Sequence, residues 1–169
     1  MKRTAALFLT VFFTLFALTS CSDEMQSAAC RDVLAAMTQT EISLPAGRYY
    51  SLSSPENNRE HLDKSLISQL FGNGSYPAVA DDWIDCALYL SLSESPCEFA
   101  VILCKSRDAA HDTAMLMHVR LSAIKHTKTA PEYASMLDNA SVTLMGNYAF
   151  LIISSDEGSA LRAAKRAIR

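Results

Sequence analysis

Apolar residues recur along this chain in several rhythms, and each rhythm predicts a different element. From Ala5 to Leu18 they run almost without interruption, with Phe8, Phe12, Phe13 and Phe16 among them. That stretch is shorter than the ~20 residues a helix needs to cross the hydrocarbon core of a bilayer. Over 26–39, Ala29, Val33, Ala36 and Met37 fall at helical spacing and predict a first helix. The pattern breaks over 40–58, where Leu44-Pro45-Ala46-Gly47 and Ser51-Leu52-Ser53-Ser54-Pro55 read as turns, with Tyr49, Tyr50 and Leu52 available to the core. A short helix over 62–71 is expected to stop at Gly72-Asn73-Gly74.

A period of two takes over at Trp83. Trp83, Asp85, Ala87 and Tyr89 alternate with Ile84, Cys86, Leu88 and Leu90, predicting a strand that turns at Ser93-Glu94-Ser95-Pro96. Its partner over 97–105 is continuously apolar at the centre, Phe99-Ala100-Val101-Ile102-Leu103, as expected of a central strand covered on one face and partly on the other. Ser106 can cap a long helix whose stripe is Ala110, Ala114, Met117, Leu121 and Ile124. Pro131-Glu132-Tyr133 opens a further helical turn leading through Leu137 to Asp138-Asn139.

Positions 141–153 then read as two strands joined by Gly146-Asn147, a loop suited to tight hairpins. Pairing about it sets Leu144 opposite Ala149 and Val142 opposite Leu151, on one face with Ile153. A last helix begins at Ser155-Asp156-Glu157, with Ala160, Leu161, Ala164 and Ile168 on one side and an acidic start and basic end that suit the helix dipole. The order is ββα-ββα: an α+β fold, a two-layer sandwich in which an antiparallel sheet carries its helices on one face, with the N-terminal helix added.

Met1-Lys2-Arg3 puts charge ahead of the first apolar run, and Leu18-Thr19-Ser20-Cys21 follows it. Charge, apolar run and small residues before a cysteine resemble the signal peptide and lipobox of bacterial lipoprotein precursors. The resemblance implies lipidation of Cys21, cleavage just before it, and anchoring to the cell membrane on the extracytoplasmic face. Residues 1–20 are then signal, 21–27 a lipidated polar tether, and 28–169 one domain of ordinary size.

Composition narrows the partners. The chain has 15 Lys and Arg against 18 Asp and Glu, a formal charge of −3. Removing Lys2 and Arg3 with the signal makes the remainder more acidic still. Phosphate binding needs a concentrated basic surface, so nucleic acid is not an expected partner. Besides Cys21 there are Cys30, Cys86, Cys97 and Cys104, without a CxxC pair or zinc spacing. If strands 83–90 and 97–105 pair, Cys86 and Cys104 are the nearest candidates for a disulfide, with buried free thiols as the default.

No catalytic constellation emerges. His111 and His118 stand about 10.5 Å apart along a helix, too far to share a metal ion. His61 and His126 are isolated, and no GxSxG, P-loop or GxGxxG occurs. Asp81, Asp82 and Asp85 around Trp83 invite a cation- or sugar-binding reading, but a charged sheet edge explains them more simply. Glu98, at the start of a strand, and Arg120, on the following helix, are placed for a structural ion pair. No metal or cofactor is expected.

The run Tyr133-Ala134-Ser135-Met136-Leu137-Asp138-Asn139-Ala140-Ser141-Val142, continuing through Gly146-Asn147-Tyr148 to Ser154, resembles domain of unknown function 4358, found in small lipoproteins of low-GC Gram-positive bacteria. Glu98-Phe99-Ala100-Val101-Ile102 and Arg120 are similar to further features of that family, and the likeness covers roughly 62–169. Met115-Leu116-Met117 departs from the family's more heavily charged long helix. The resemblance implies a lipoprotein context and no particular activity. The function expected is a non-enzymatic module binding an envelope protein or small ligand. The alternative is a cell-envelope enzyme, or a thiol-redox protein using Cys86, Cys97 or Cys104.

Overall fold

The computed structural model describes residues 28–169. Cys21 and the signal and tether positions before Ala28 lie outside them. The described chain runs α1 (Cys30–Thr38), β1 (Gly47–Ser51), α2 (Lys64–Phe71), a 3-10 turn (Ala78–Asp82), β2 (Trp83–Ser91), β3 (Glu98–Cys104), α3 (Arg107–Thr127), a second 3-10 turn (Pro131–Tyr133), α4 (Ala134–Asp138), β4 (Ser141–Met145), β5 (Tyr148–Ile153) and α5 (Glu157–Ala167).

Helix starts follow from local chemistry. Asp63, Ser106 and Asp156 each accept a hydrogen bond from the backbone N–H three residues on, at Leu66, Ala109 and Ser159. Each satisfies an amide that a helix start leaves without a partner. Asp156 gains in return, since the hydroxyl and amide of Ser159 hold its carboxyl below the usual range. Helix α1 has Ala29 at its cap position, with nothing to offer. Asp85 of the sheet supplies the acceptor instead, its Oδ2 lying 2.8 Å from the Cys30 amide. At the far end of α2 a Cβ on Gly72 would lie 1.6 Å from the Ser75 carbonyl oxygen, so only glycine fits that turn.

The five strands form one antiparallel sheet in the order β1-β2-β3-β5-β4. The second hairpin has the expected register, with Leu144 opposite Ala149 and Val142 opposite Leu151. Its turn places Gly146 at a φ of 59°. Every residue of β3 and β5 is buried. One side of the sheet packs Leu88, Ile102, Leu151 and Ile153 against Met117 and Leu121 of α3 and Phe71 of α2. The other packs Tyr89, Phe99, Val101, Phe150 and Ile152 against Val33, Leu34 and Met37 of α1 and Ala160 and Ala164 of α5.

The α+β class and the ββα-ββα order hold, but the helices occupy both faces of the sheet rather than one. The reason lies in β3 and β5: strands apolar on both sides must be covered on both sides. Strand β1 lies between the two expected turns, at Tyr49 and Tyr50, where the sequence pattern predicts no strand. It is a short polar-aromatic edge whose ladder partner is β2 alone.

Strand β2 contains a bulge. The ladder shifts between Trp83 and Asp85, so Trp83 pairs with Cys104 while Asp85 pairs with Leu103. Ile84 is thereby left 58 % exposed, and Trp83 joins the core on the side of Cys86 and Leu88 instead of sharing a face with Asp85, Ala87 and Tyr89. The Trp83 indole N–H donates to Thr113 Oγ1 of α3 at 2.9 Å, and its ring meets Phe71 edge-on. No helix among the described residues is long and apolar enough to cross a membrane.

Candidate functional site

The chain between β1 and the first 3-10 turn builds a cleft. Ser51 closes the segment after β1, with its N–H donating to the Glu60 carbonyl at 2.8 Å and its carbonyl accepting from the Leu62 N–H at 3.0 Å. These bonds set Leu62 under α2, where Leu52, Leu62 and Ile67 form an aliphatic floor. Glu56, His61, Asp63, Lys64 and Tyr76 stand around it, enclosing about 470 Å³. That volume falls in the range of small-ligand sites.

Four of the five rim groups, His61, Asp63, Lys64 and Tyr76, are each placed by a partner. His61 Nδ1 lies 2.7 Å from the Ser54 carbonyl oxygen, which can only accept, so Nδ1 carries the proton and Nε2 is left for other work. Asp63 is held by its capping bond to Leu66. The Lys64 ammonium sits over the Tyr76 ring, 5.0 Å from its centroid. Burial and then the neighbouring Asp81 carboxylate push the Tyr76 phenol above its ordinary value, so it is a neutral donor at physiological pH. Neither Ser nor Cys lines the cleft. An apolar floor rimmed by two carboxylates, an ammonium and an imidazole suits recognition of an amphipathic ligand.

Glu98 and Arg120 meet. Arg120 of α3 straddles the Glu98 carboxylate at the start of β3 with two hydrogen bonds, Nε to Oε1 and Nη2 to Oε2, the latter at 2.6 Å. Nη1 also points at the Leu70 carbonyl in the last turn of α2, 3.4 Å away. Glu98 is 4 % exposed. The pair therefore ties the sheet, α3 and the helix that walls the cleft into one unit, beneath the surface and away from the cleft rim.

Cys86 and Cys104 are not bridged. Cys30, Cys86, Cys97 and Cys104 are all free and buried. The ladder sets Cys86 opposite Ile102, two positions from Cys104, so the two thiols are diagonal neighbours rather than a facing pair. Cys104 Sγ lies 3.4 Å from Thr113 Oγ1.

Burial pushes all four thiols up, Cys97 to about 12. Burial acts likewise on the Tyr89 and Tyr148 phenols, each raised to about 12. A thiol nucleophile must ionise, and these are held neutral at physiological pH.

The same burial predicts alkaline destabilisation. In the unfolded chain thiols titrate near ~8.5. Below that pH both states keep their protons and stability is full. Above about pH 9 the unfolded chain sheds protons that the folded chain retains, so stability falls as pH rises. The urea midpoint is expected to be level from about pH 7 to 8 and to decline steadily towards about pH 11. A midpoint unchanged at the alkaline end would contradict this burial.

The acidic residues near Trp83 separate into different tasks. Asp82 pairs with Lys105 at 3.3 Å on the surface, Asp81 faces Tyr76, and Asp85 serves the Cys30 and Cys86 amides. His111 and His118 are exposed on α3, and His126 Nδ1 is 2.7 Å from the Ser122 carbonyl. Among the described residues no group of three or more His, Cys, Asp or Glu is placed to hold a metal ion. No protein-family model, curated protein or solved structure matches the chain.

Proposed function

We propose that this chain is a lipid-anchored extracytoplasmic module that binds, without transforming, an amphipathic ligand or a segment of an envelope protein in the cleft beside α2. The observation that carries the anchor is the ordered series Lys2-Arg3, apolar run, Leu18-Thr19-Ser20-Cys21, placed a few residues before the first helix. The resemblance to small Gram-positive lipoproteins supports the same address. Six residues lie between Cys21 and Ala28, the first described residue, so the tether holds the domain within roughly 25 Å of the bilayer at full stretch.

Binding in the cleft is supported by the oriented rim over an apolar floor, an arrangement that gives specificity through a few placed polar groups. The alternative of a thiol-redox protein using Cys86, Cys97 or Cys104 has less support, because those sulfurs are buried and protonated.

Capture from detergent-solubilised membranes tests the reading. The wild-type chain is expected to retain an envelope component, and a Lys64→Ala/Tyr76→Ala double variant to retain about tenfold less. Recovery of nothing above background, or equal recovery by both chains, contradicts it.

A further inference from the structure

Two strands end the sheet, and they differ in how their outer edges are protected. Beyond β1, the 60–62 segment bonds to Ser51, and Arg48 puts a charge on the strand. Strand β4 reads Ser141-Val142-Thr143-Leu144-Met145, with no charge, no proline and no bulge. Among the described residues no strand pairs with its outer side. Edges of this kind invite pairing unless something covers them.

The geometry of that edge is self-complementary. Gly146-Asn147 makes Met145 and Tyr148 the closing hydrogen-bonded pair, so alternation turns the N–H and C=O of Val142 and Leu144 outward. An antiparallel copy centred on Thr143 sets Val142 against Leu144 of the partner, where all four outward groups find partners. The same pairing covers Leu144, which is 38 % exposed.

Charge agrees with the register. Helix α5 runs beneath β4 with Glu157 bonded to Ser141 at one end, while Lys165 and Arg169 share a groove with Met145 at the other. Reversal about Thr143 brings the Glu157 end of each copy to the Lys165 end of its partner.

We propose that the outer edge of β4 is the contact between two copies of this chain, which pair antiparallel about a two-fold axis at Thr143 and join their sheets. The inference is independent of the anchor and of the cleft.

Thr143 and its copy form a non-hydrogen-bonded pair with Cα atoms about 4.5 Å apart, within disulfide reach. In cells holding the full chain under mild oxidation, Thr143→Cys is expected to give a covalent dimer at least about tenfold above wild type and above Ser65→Cys, an exposed position on α2. Thr143→Lys sets two ammonium groups against each other and is expected to weaken association of the detergent-extracted chain about tenfold, with circular dichroism unchanged. Cross-linking of Thr143→Cys no greater than that of Ser65→Cys, or association indifferent to Thr143→Lys, overturns the proposal.

Discussion

Truncation of Arg120 to Ala is expected to cost about 3–5 kcal/mol of folding stability, measured as a fall in urea midpoint with little change in slope. The size of the effect comes from what remains. Glu98 lies in a fully buried strand and is 4 % exposed, so without the guanidinium its carboxylate stays in a low-dielectric site with neither counter-charge nor hydrogen bonds. The Leu70 carbonyl loses its contact as well, which loosens the last turn of α2 against the sheet. The double variant Glu98→Leu/Arg120→Met is expected to recover most of the loss, because two apolar groups of similar volume need no compensation. A loss below about 1 kcal/mol in the single variant, or no recovery in the double, would contradict the reading of this pair as a buried structural bridge.

Some of this architecture is legible in the chain because it rests on short-range rules. The Gly146-Asn147 hairpin fixes its register through turn geometry, and Asp63, Ser106 and Asp156 mark helix starts through a bond only three residues long. Features that depend on distant neighbours are less legible. Asp85 reads as one of three acids beside Trp83, yet it caps a helix 55 positions earlier. Trp83 reads as alternating with Cys86, and the bulge at Ile84 puts both on one side. The register of the first hairpin, with Cys86 opposite Ile102, leaves no facing geometry for a Cys86–Cys104 bridge. The second helical layer was written in the unbroken apolar runs of β3 and β5, whose burial on both faces outweighs any count of helices.

The candidate cleft is the least legible part. Its rim comes from Glu56, in the stretch where hydrophobic periodicity fails, and from His61, Asp63, Lys64 and Tyr76 in and around the short helix that follows, and each residue looks isolated in the sequence. Only the closure of Ser51 onto the 60–62 segment brings them together, and a contact between backbone groups leaves no mark on side-chain pattern. The Glu98–Arg120 pair was easier, since a carboxylate opening a strand and a cation on the following helix are connected by topology.

Loss of the Cys21 thiol is the other change expected to have a large effect, and it acts on location rather than folding. Each buried methylene of a lipid chain contributes about 0.8 kcal/mol to membrane attachment; one chain is marginal and two are firm. Among the described residues no helix offers a substitute anchor. Cys21→Ala is therefore expected to lose the lipid, and with it the processed membrane-bound form that begins at residue 21, while leaving the domain folded, because both cores are built from residues beyond Ala28.

Intact-mass analysis of the membrane-extracted chain is the most direct measurement. The account predicts a chain that begins at Cys21, lacks residues 1–20 and carries a thioether-linked diacylglyceryl group. A membrane-bound chain that retains residues 1–20 or bears an unmodified Cys21 would contradict it.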